Sequence, residues 1–547
     1  MSSYNLARHF VPSPGLYKST DAGATWNYIT PAVNILEAYD GSGTGGQGNY
    51  DLGFTVNNQD PDIIYSGGVN LWSSDDGGYT FNPVSHWTTA YGPTIHGDIH
   101  MIATQPQTGY VFVCSDGGIY RTGNIIAQTW TDANNGIPWP TQWSNLSNGM
   151  AVTSFYRLSS SKNTLGKLIA GAQDNATFYY DGTIWSTIIG GDGMDNFLDP
   201  IDNNLIIGSS QYGNFSFSQD GGFTYNGLNN NPNLEAGEWT TPFVADLLQP
   251  GTMYSGFSNV STSTDGGNNW TMISNFPVNG IYNNEISALA VSYSNSNYIY
   301  ATKRVRYEYS SPGSVYMTNN SGASWNDITL GLPDSLYYTS IDISQTQPLT
   351  AYVSLAGFSA GNKIYKTTNG GSTWNNISFN LPNIPVNCIK TIPSSNKIVA
   401  ATDIGIYILD SASNIWTLFS QGLPNVIVSD IEFNPALNKT YVSTFGRGIW
   451  EIDLDVLTGT EKPQISNFKA ELYPSINNGN FIIKISGRRN QQETIPLNII
   501  DIKGSHVSTK ILQGNETNVI KLDLPSGVYF ARFIDGKNSL TKKFIIE

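Results

Sequence analysis

The segment Ile364-Tyr365-Lys366-Thr367-Thr368-Asn369-Gly370-Gly371-Ser372-Thr373-Trp374 joins a short strand-like run to a polar turn closed by an aromatic residue. The pattern recurs from Leu16 to Trp26, Leu71 to Phe81, Phe215 to Tyr225, Val260 to Trp270 and Val315 to Trp325. Degenerate copies end at Trp130, Trp185 and Trp416. Between closing aromatics the spacings are 55, 49, 55, 40, 45, 55, 49 and 42 residues. A four-stranded propeller blade needs roughly 40–50 residues, so each period reads as one blade. A last unit, Thr440 to Leu454, ends without the turn. The fold expected is therefore all-β, a β-propeller of about ten blades over residues 1–455. The blades form either one ring or the end of a first propeller (1–140) followed by a seven-bladed second (141–455). The second arrangement is preferred because the chain enters a blade abruptly, as though a signal peptide and further blades preceded it.

The chemistry of the repeated turn is structural. Asp or Asn is expected to accept hydrogen bonds from N–H groups one and two residues on. Gly supplies positive φ, Ser or Thr ties the turn to the preceding strand, and the aromatic buries its ring between blades. Asp21, Asp75, Asp220, Asp265, Asn320 and Asn369 are thus read as turn-makers. These boxes resemble the Asp-box repeats of sialidase-type, sortilin-type and xyloglucan-hydrolase-type propellers, a resemblance that implies fold and not activity.

Composition agrees with many short strands. Aromatics make up 12% of residues and charged groups 13%, about half the usual charged share of roughly 25%. The net charge is −15, yet residues 470–547 hold ten Lys/Arg against seven Asp/Glu, so the body before them is the acidic part. An acidic body argues against nucleic acid or anionic lipid as partner, where phosphate must be neutralised. No run of 18 apolar residues exists, so no membrane span is expected. Cys114 and Cys388 lie in strand-like runs and read as buried free thiols.

A second pattern occupies the middle of the chain: His96 to Arg121, Trp143 to Leu158, Gly171 to Trp185 and Gly190 to Pro200. Over roughly residues 90–225 it resembles secreted bacterial BNR-repeat propellers distantly similar to sortilin, which implies an extracellular propeller without an established reaction. Within it, His96-x-Asp98-x-His100 would place three polar side chains on one face of a strand. That set could hold a metal or position a base, or simply tie a polar strand into the channel. With no fourth partner legible, no metal and no cofactor are expected.

Gln173-Asp174-Asn175 and Gly191-Asp192-Gly193 fall where inner strands meet loops. Carboxylates there could work as paired acids or accept hydrogen bonds in Gly turns. Asp98, Asp174 and Asp192 are the catalytic candidates, and His96, His100, Trp143 and Tyr212 the ligand-binding candidates, the two aromatics as sugar platforms. Sialidase chemistry is not expected, because no Arg-Ile-Pro occurs and the propeller region holds only six arginines.

After Asp455 the repeat stops. Residues 456–469 read as a linker and 470–547 as a small β-sandwich, with Asp535-Gly536 as the turn between its last two strands. Leu472-Tyr473-Pro474, Asn478-Gly479-x-Phe481, Asp501-x-x-Gly504, Leu524-x-x-Gly527-x-Tyr529 and Lys543 occur in order. This module resembles the type A C-terminal sorting domain of the type IX secretion system. The resemblance implies recognition by the outer-membrane translocon after Sec export, and a location outside a Gram-negative cell or on its outer-membrane surface. Two functions are expected to compete: a secreted or surface binding protein for a glycan or protein ligand, and a secreted xyloglucanase-type hydrolase using paired Asp residues.

Overall fold

Short apolar runs broken by polar turns give antiparallel meanders, and the computed structural model shows how they stack. It describes residues 15–547 apart from 89–94, 128–139, 164, 201, 228–236, 278–283, 308–310, 411, 420–421, 459–468, 487–493, 502–504, 514–515 and 536–537. Trp130, most of the linker, Gly504 and Gly536 therefore lie outside the described residues. The chain divides into two units, 1–458 and 459–547.

In the first unit, seven sheets follow one another from Phe155 to Asp453, six with four strands and the last with three. Their innermost strands are Phe155–Ser160, Asn196–Leu198, Phe243–Ala245, Ile286–Val291, Tyr338–Ile343, Val386–Thr391 and Val428–Asn434. Each packs on the next, and the seventh returns to the first, so the seven sheets close into a ring. Among the described residues closure uses no shared strand beyond the isolated backbone bridge between Ser154 and Phe445. Instead Leu158 N–H donates to Asp430 Oδ2 (3.2 Å), Arg157 Nη1 to the Ser429 carbonyl (3.3 Å), and Lys162 pairs with Glu432.

Sheets cover both faces of one another, which explains why the second strands lack polar alternation. Ile299–Lys303, Ala351–Leu355 and Ile398–Thr402 are buried at every position. The short helix Leu454–Thr458 then buries Leu454 and Leu457 against the core of the last two sheets.

Three sheets precede the ring. Leu16–Lys18 pairs with Asn27–Ile29, and this sheet shares a core of Leu16, Ile35, Ile64, Trp72 and Phe81 with the next. The second (Gly53–Val56, Ile64–Gly67, Leu71–Ser74, Asn82–Ser85) and the third meet through Tyr65, Leu71, Ile99, Ile102 and Val113. The third consists of Ile99–Thr104, Val111–Ser115, Gly118–Thr122 and Ser144–Asn145. Ser144–Asn145, which the expected division at 140 assigns to the second propeller, pairs with Tyr120 and Arg121 of this third sheet.

The boxes differ in detail from the expected turn. Ser218 Oγ donates to Asp220 Oδ1 (2.7 Å) and accepts the Gly222 N–H (2.9 Å). Asp220 accepts the N–H groups of Phe223 and Thr224 (both 3.0 Å) and the Thr224 hydroxyl (2.6 Å). The donors are thus three and four residues on, not one and two. In the second copy the box carboxylate is Asp76 and not Asp75: Asp76 accepts from Ser74, Tyr79 and Thr80. The spacing Ser-x-Asp, counted from Ser74, decides between the two neighbours. Asn320 and Asn369 do the same work with an amide, whose Oδ1 accepts from the backbone while Nδ2 donates to Ser324 or Thr373. The closing indoles of Trp325, Trp374 and Trp416 each donate to a carbonyl of the preceding sheet region, Ile273, Ile328 and Ile377, at 2.8 Å. Cys388 is buried and Cys114 only half-buried, so the expectation of two buried thiols holds for one.

The second unit has a three-stranded sheet (Lys469–Tyr473, Asn480–Ser486, Thr517–Lys521) and a five-stranded one. Strict alternation along Asn480–Ser486 puts Phe481, Ile483 and Ile485 into a core with Leu497, Ile499, Phe533 and Phe544. Gly479 has φ +86°, and a Cβ there would lie 2.2 Å from the Leu522 carbonyl oxygen, which accounts for Asn478-Gly479 in the motif. Among the described residues, no helix is long and apolar enough to cross a membrane.

Candidate functional site

Inner strands of the ring all start at one rim, so the loops that precede them and those joining second to third strands gather there. Asp174 sits in the turn between Leu168–Ala172 and Thr177–Tyr180, and Asp192 leads into Asn196–Leu198. The third N-terminal sheet reaches the same place through His96, Asp98 and the Asp116-Gly117 turn. His96 Nε2 contacts the Asp174 carbonyl oxygen at 2.8 Å, and Asn175 Nδ2 donates to the Asp116 carbonyl at 3.0 Å.

Backbone packing explains the glycines. A Cβ on Gly193 would lie 2.2 Å from the Ala176 carbonyl oxygen, and one on Gly117 would lie 2.2 Å from His96 Cβ. Four non-glycine residues here are left-handed: Asp98 (φ +59°), Asp174 (+58°), Ala176 (+71°) and Tyr212 (+60°). Such conformations cost about 1–2 kcal/mol each and concentrate at working sites.

The strand expected through His96-x-Asp98-x-His100 begins only at Ile99, and the left-handed Asp98 breaks the alternation. The three side chains reach one region by a different route. Asp98 Oδ1 accepts from Gln47 Nε2 (2.6 Å), while His100 Nε2 meets Asp116 Oδ1 (2.7 Å). The Tyr50 hydroxyl donates to Asp116 Oδ2 (2.8 Å). Asp174 Oδ1 accepts from Gln173 Nε2 (2.7 Å); Asp192 accepts the Asp174 N–H (2.7 Å) and Gln211 Nε2 (2.6 Å). One oxygen each of Asp98, Asp116 and Asp174 lies within 4.8 Å of the others.

Burial dominates the electrostatics. It pushes the Asp174 carboxyl up to about 6, helped by the charges of Asp116 and Asp192 and opposed by the Gln173 hydrogen bond. Burial likewise lifts Asp51 to about 6 and raises Asp98, the latter with Asp116 adding to the effect and both imidazoles opposing it. Chemically, such a group of carboxylates can take up a proton near pH 6 or hold a cation.

A hydrogen-bonded chain leads from the carboxylates to the mouth of the ring. The Tyr156 hydroxyl donates to Gln173 Oε1 and accepts from Trp239 Nε1 (3.1 Å). Tyr156, Trp239, Tyr337 and Phe445, with Arg157 and Glu238, line a pocket of about 280 Å³. Glu238 is held by Arg304 at 2.7 and 3.0 Å. Tyr212 is half exposed beside this pocket, its ring edge-on to Trp239 at 5.3 Å. Trp143, expected as a sugar platform, is half-buried and packs against the apolar core of the N-terminal sheets.

Five candidates thus meet at one junction: Asp98, Asp174, Asp192, His96 and His100. Gln47, Tyr50, Asp51, Asp116, Tyr156 and Trp239 were not singled out in the sequence. Asp116-Gly117-Gly118 carried a signal, an Asp-Gly-Gly turn directly after a strand; the others carried none.

Residues 471–547 match the secretion system C-terminal sorting domain. No curated protein matches the chain in sequence. Among solved structures it is similar to the GH74 xyloglucanase from Xanthomonas campestris (16% identity, TM-score 0.49), covering 80% of this chain and 63% of the xyloglucanase. It is also similar to YCF48 bound to D1 peptide (12%, TM-score 0.41, 58% of this chain and 95% of that one). The Dos1 propeller shows 14% identity and a TM-score of 0.39 over 65% of this chain and 93% of its own. The chain is a secreted β-propeller protein that ends in a type IX secretion sorting domain.

Proposed function

We propose that this protein is handed to the type IX translocon by residues 470–547 and binds a glycan at the mouth of the ring. The observation that carries this reading is the pocket lined by Tyr156, Trp239, Tyr337 and Phe445 next to hydrogen-bonding Arg157 and Glu238. Aromatic faces with a few polar groups between them suit a sugar ring, which has apolar C–H faces and a polar rim. The half-exposed Tyr212 extends that surface. In this reading the ring holds the ligand at its mouth, beside the junction with the N-terminal sheets, outside the cell or on its outer surface.

One observation favours hydrolysis as a second reading: the Asp174 carboxyl, raised to about 6, suits a general acid near neutral pH. A single screen separates the two. The full chain is tested on a glycan array and, in parallel, for release of reducing ends from polysaccharides, xyloglucan included. Binding without turnover, weakened on the order of tenfold or more in a Trp239→Ala variant, supports the binding reading. Turnover abolished by Asp174→Asn supports hydrolysis. Neither binding nor turnover on any glycan contradicts both.

A further inference from the structure

Asp98, Asp116 and Asp174 come from three different loops, and one oxygen of each lies within 4.8 Å of the other two. Three carboxylate oxygens that close can ligate one cation together, and calcium accepts irregular oxygen sets that the near-ideal octahedron of magnesium does not. Gln47 serves Asp98 Oδ1 and Gln173 serves Asp174 Oδ1, while the Asp174 and Asp116 carboxyls meet each other directly.

Carboxylates often gather without an ion, and the second observation is therefore Asp51. Its side chain is 0% exposed. Gln47 Nε2 donates to Asp51 Oδ2 at 3.0 Å and to Asp98 Oδ1 at 2.6 Å, so one amide holds Asp51 against the cluster. Asp51 Oδ1 has no hydrogen-bond partner. A buried acceptor without a donor is an expense that a nearby cation removes.

We propose that Asp98, Asp116 and Asp174 bind one calcium ion, with Asp51 completing the charge around it. All the donors are hard oxygens, the chemistry calcium takes. His100 and Tyr50 hold the two oxygens of Asp116 and act as positioning residues. His96, bonded to the Asp174 carbonyl, ties the same loops together. An ion here joins the third N-terminal sheet to the first sheet of the ring. The site stands independently of the glycan reading, since it needs none of the pocket aromatics.

The test uses the full chain after chelation and dialysis, titrated calorimetrically with calcium chloride alone, with melting temperature followed in parallel. The expected result is one site per chain and a rise in melting temperature. Affinity falls on the order of tenfold or more in Asp98→Asn and in Asp51→Asn, and stays at the wild-type value in the box variant Asp220→Asn. Asn tolerates the left-handed conformation of Asp98, and circular dichroism checks each fold. Should Asp98→Asn not fold, Asp51→Asn decides. No binding at millimolar calcium, equal binding by wild type and Asp51→Asn, or tighter binding of magnesium or zinc than of calcium overturns the proposal.

Discussion

Asp21 and Asp174 are the same residue type in opposite circumstances. In the box, the hydroxyl and N–H of Thr25 and the hydroxyl of Ser19 hold the Asp21 carboxyl at about 2, on a surface open to water. At the junction, burial and neighbouring carboxylates push Asp174 up to about 6. The boxes give each carboxylate as many donors as it can use, so repetition makes them rigid and chemically quiet. Junction carboxylates receive fewer donors apiece than the box aspartates and face one another, and that imbalance gives the site something left to bind. Frequency in the sequence therefore marks the scaffold, and convergence in space marks the site.

The largest effect expected lies in the scaffold. Ser74 is buried, donates to Asp76 and accepts the buried Gly78 N–H at 2.9 Å. Ser74→Ala leaves that N–H without a partner and is expected to cost about 1–3 kcal/mol by urea denaturation. An unchanged midpoint would show the box to be dispensable. At the junction the sign reverses: in the presence of a chelator, Asp51→Asn removes a buried charge and is expected to stabilise by about 1 kcal/mol. Destabilisation under those conditions would mean that Asp51 Oδ1, and not only Oδ2, is matched by a donor.

Acid separates the two regions further. Carboxyls lowered by folding, such as Asp21, contribute stability that is fully present above pH 4 and lost as pH falls toward 2. Melting temperature should therefore drop between pH 4 and 2, and less steeply in Asp21→Asn, since Asn320 and Asn369 show that the box accepts Asn. Equal slopes for both proteins would refute the assignment. The smallest effect is expected at Asp75, whose neighbour Asp76 makes the box bonds: Asp75→Ala should lie within about 0.5 kcal/mol of wild type.

Periodic features were legible in the sequence because they are local. Eleven residues from Ile364 to Trp374 contain a box entirely, so the sheets could be placed from their turns. A one-residue slip remained at Asp75 and Asp76, where two aspartates stand side by side and only the count from Ser74 separates them. The site was half legible. His96, Asp98, Asp174 and Asp192 stood out by local pattern, but the strand drawn through Asp98 missed its left-handed backbone. Asp51 and Asp116 escaped because their roles come from pairings across tens of residues, Gln47 with Asp98 and Asp116 with Tyr50. Trp143 reads in sequence as a sugar platform or as blade core, and it is half-buried against the core of the N-terminal sheets.

The separation of scaffold from site is tested most directly by a matched pair, Asp220→Asn in a box and Asp192→Asn at the junction, on one glycan array beside the wild-type full chain. The account predicts that Asp220→Asn keeps the wild-type binding pattern. It predicts that Asp192→Asn, whose single amide oxygen cannot serve Gln211 and the Asp174 N–H as the two carboxylate oxygens do, weakens on the order of tenfold or more while still folded. Wild-type binding by Asp192→Asn, or lost binding by a folded Asp220→Asn, would contradict it.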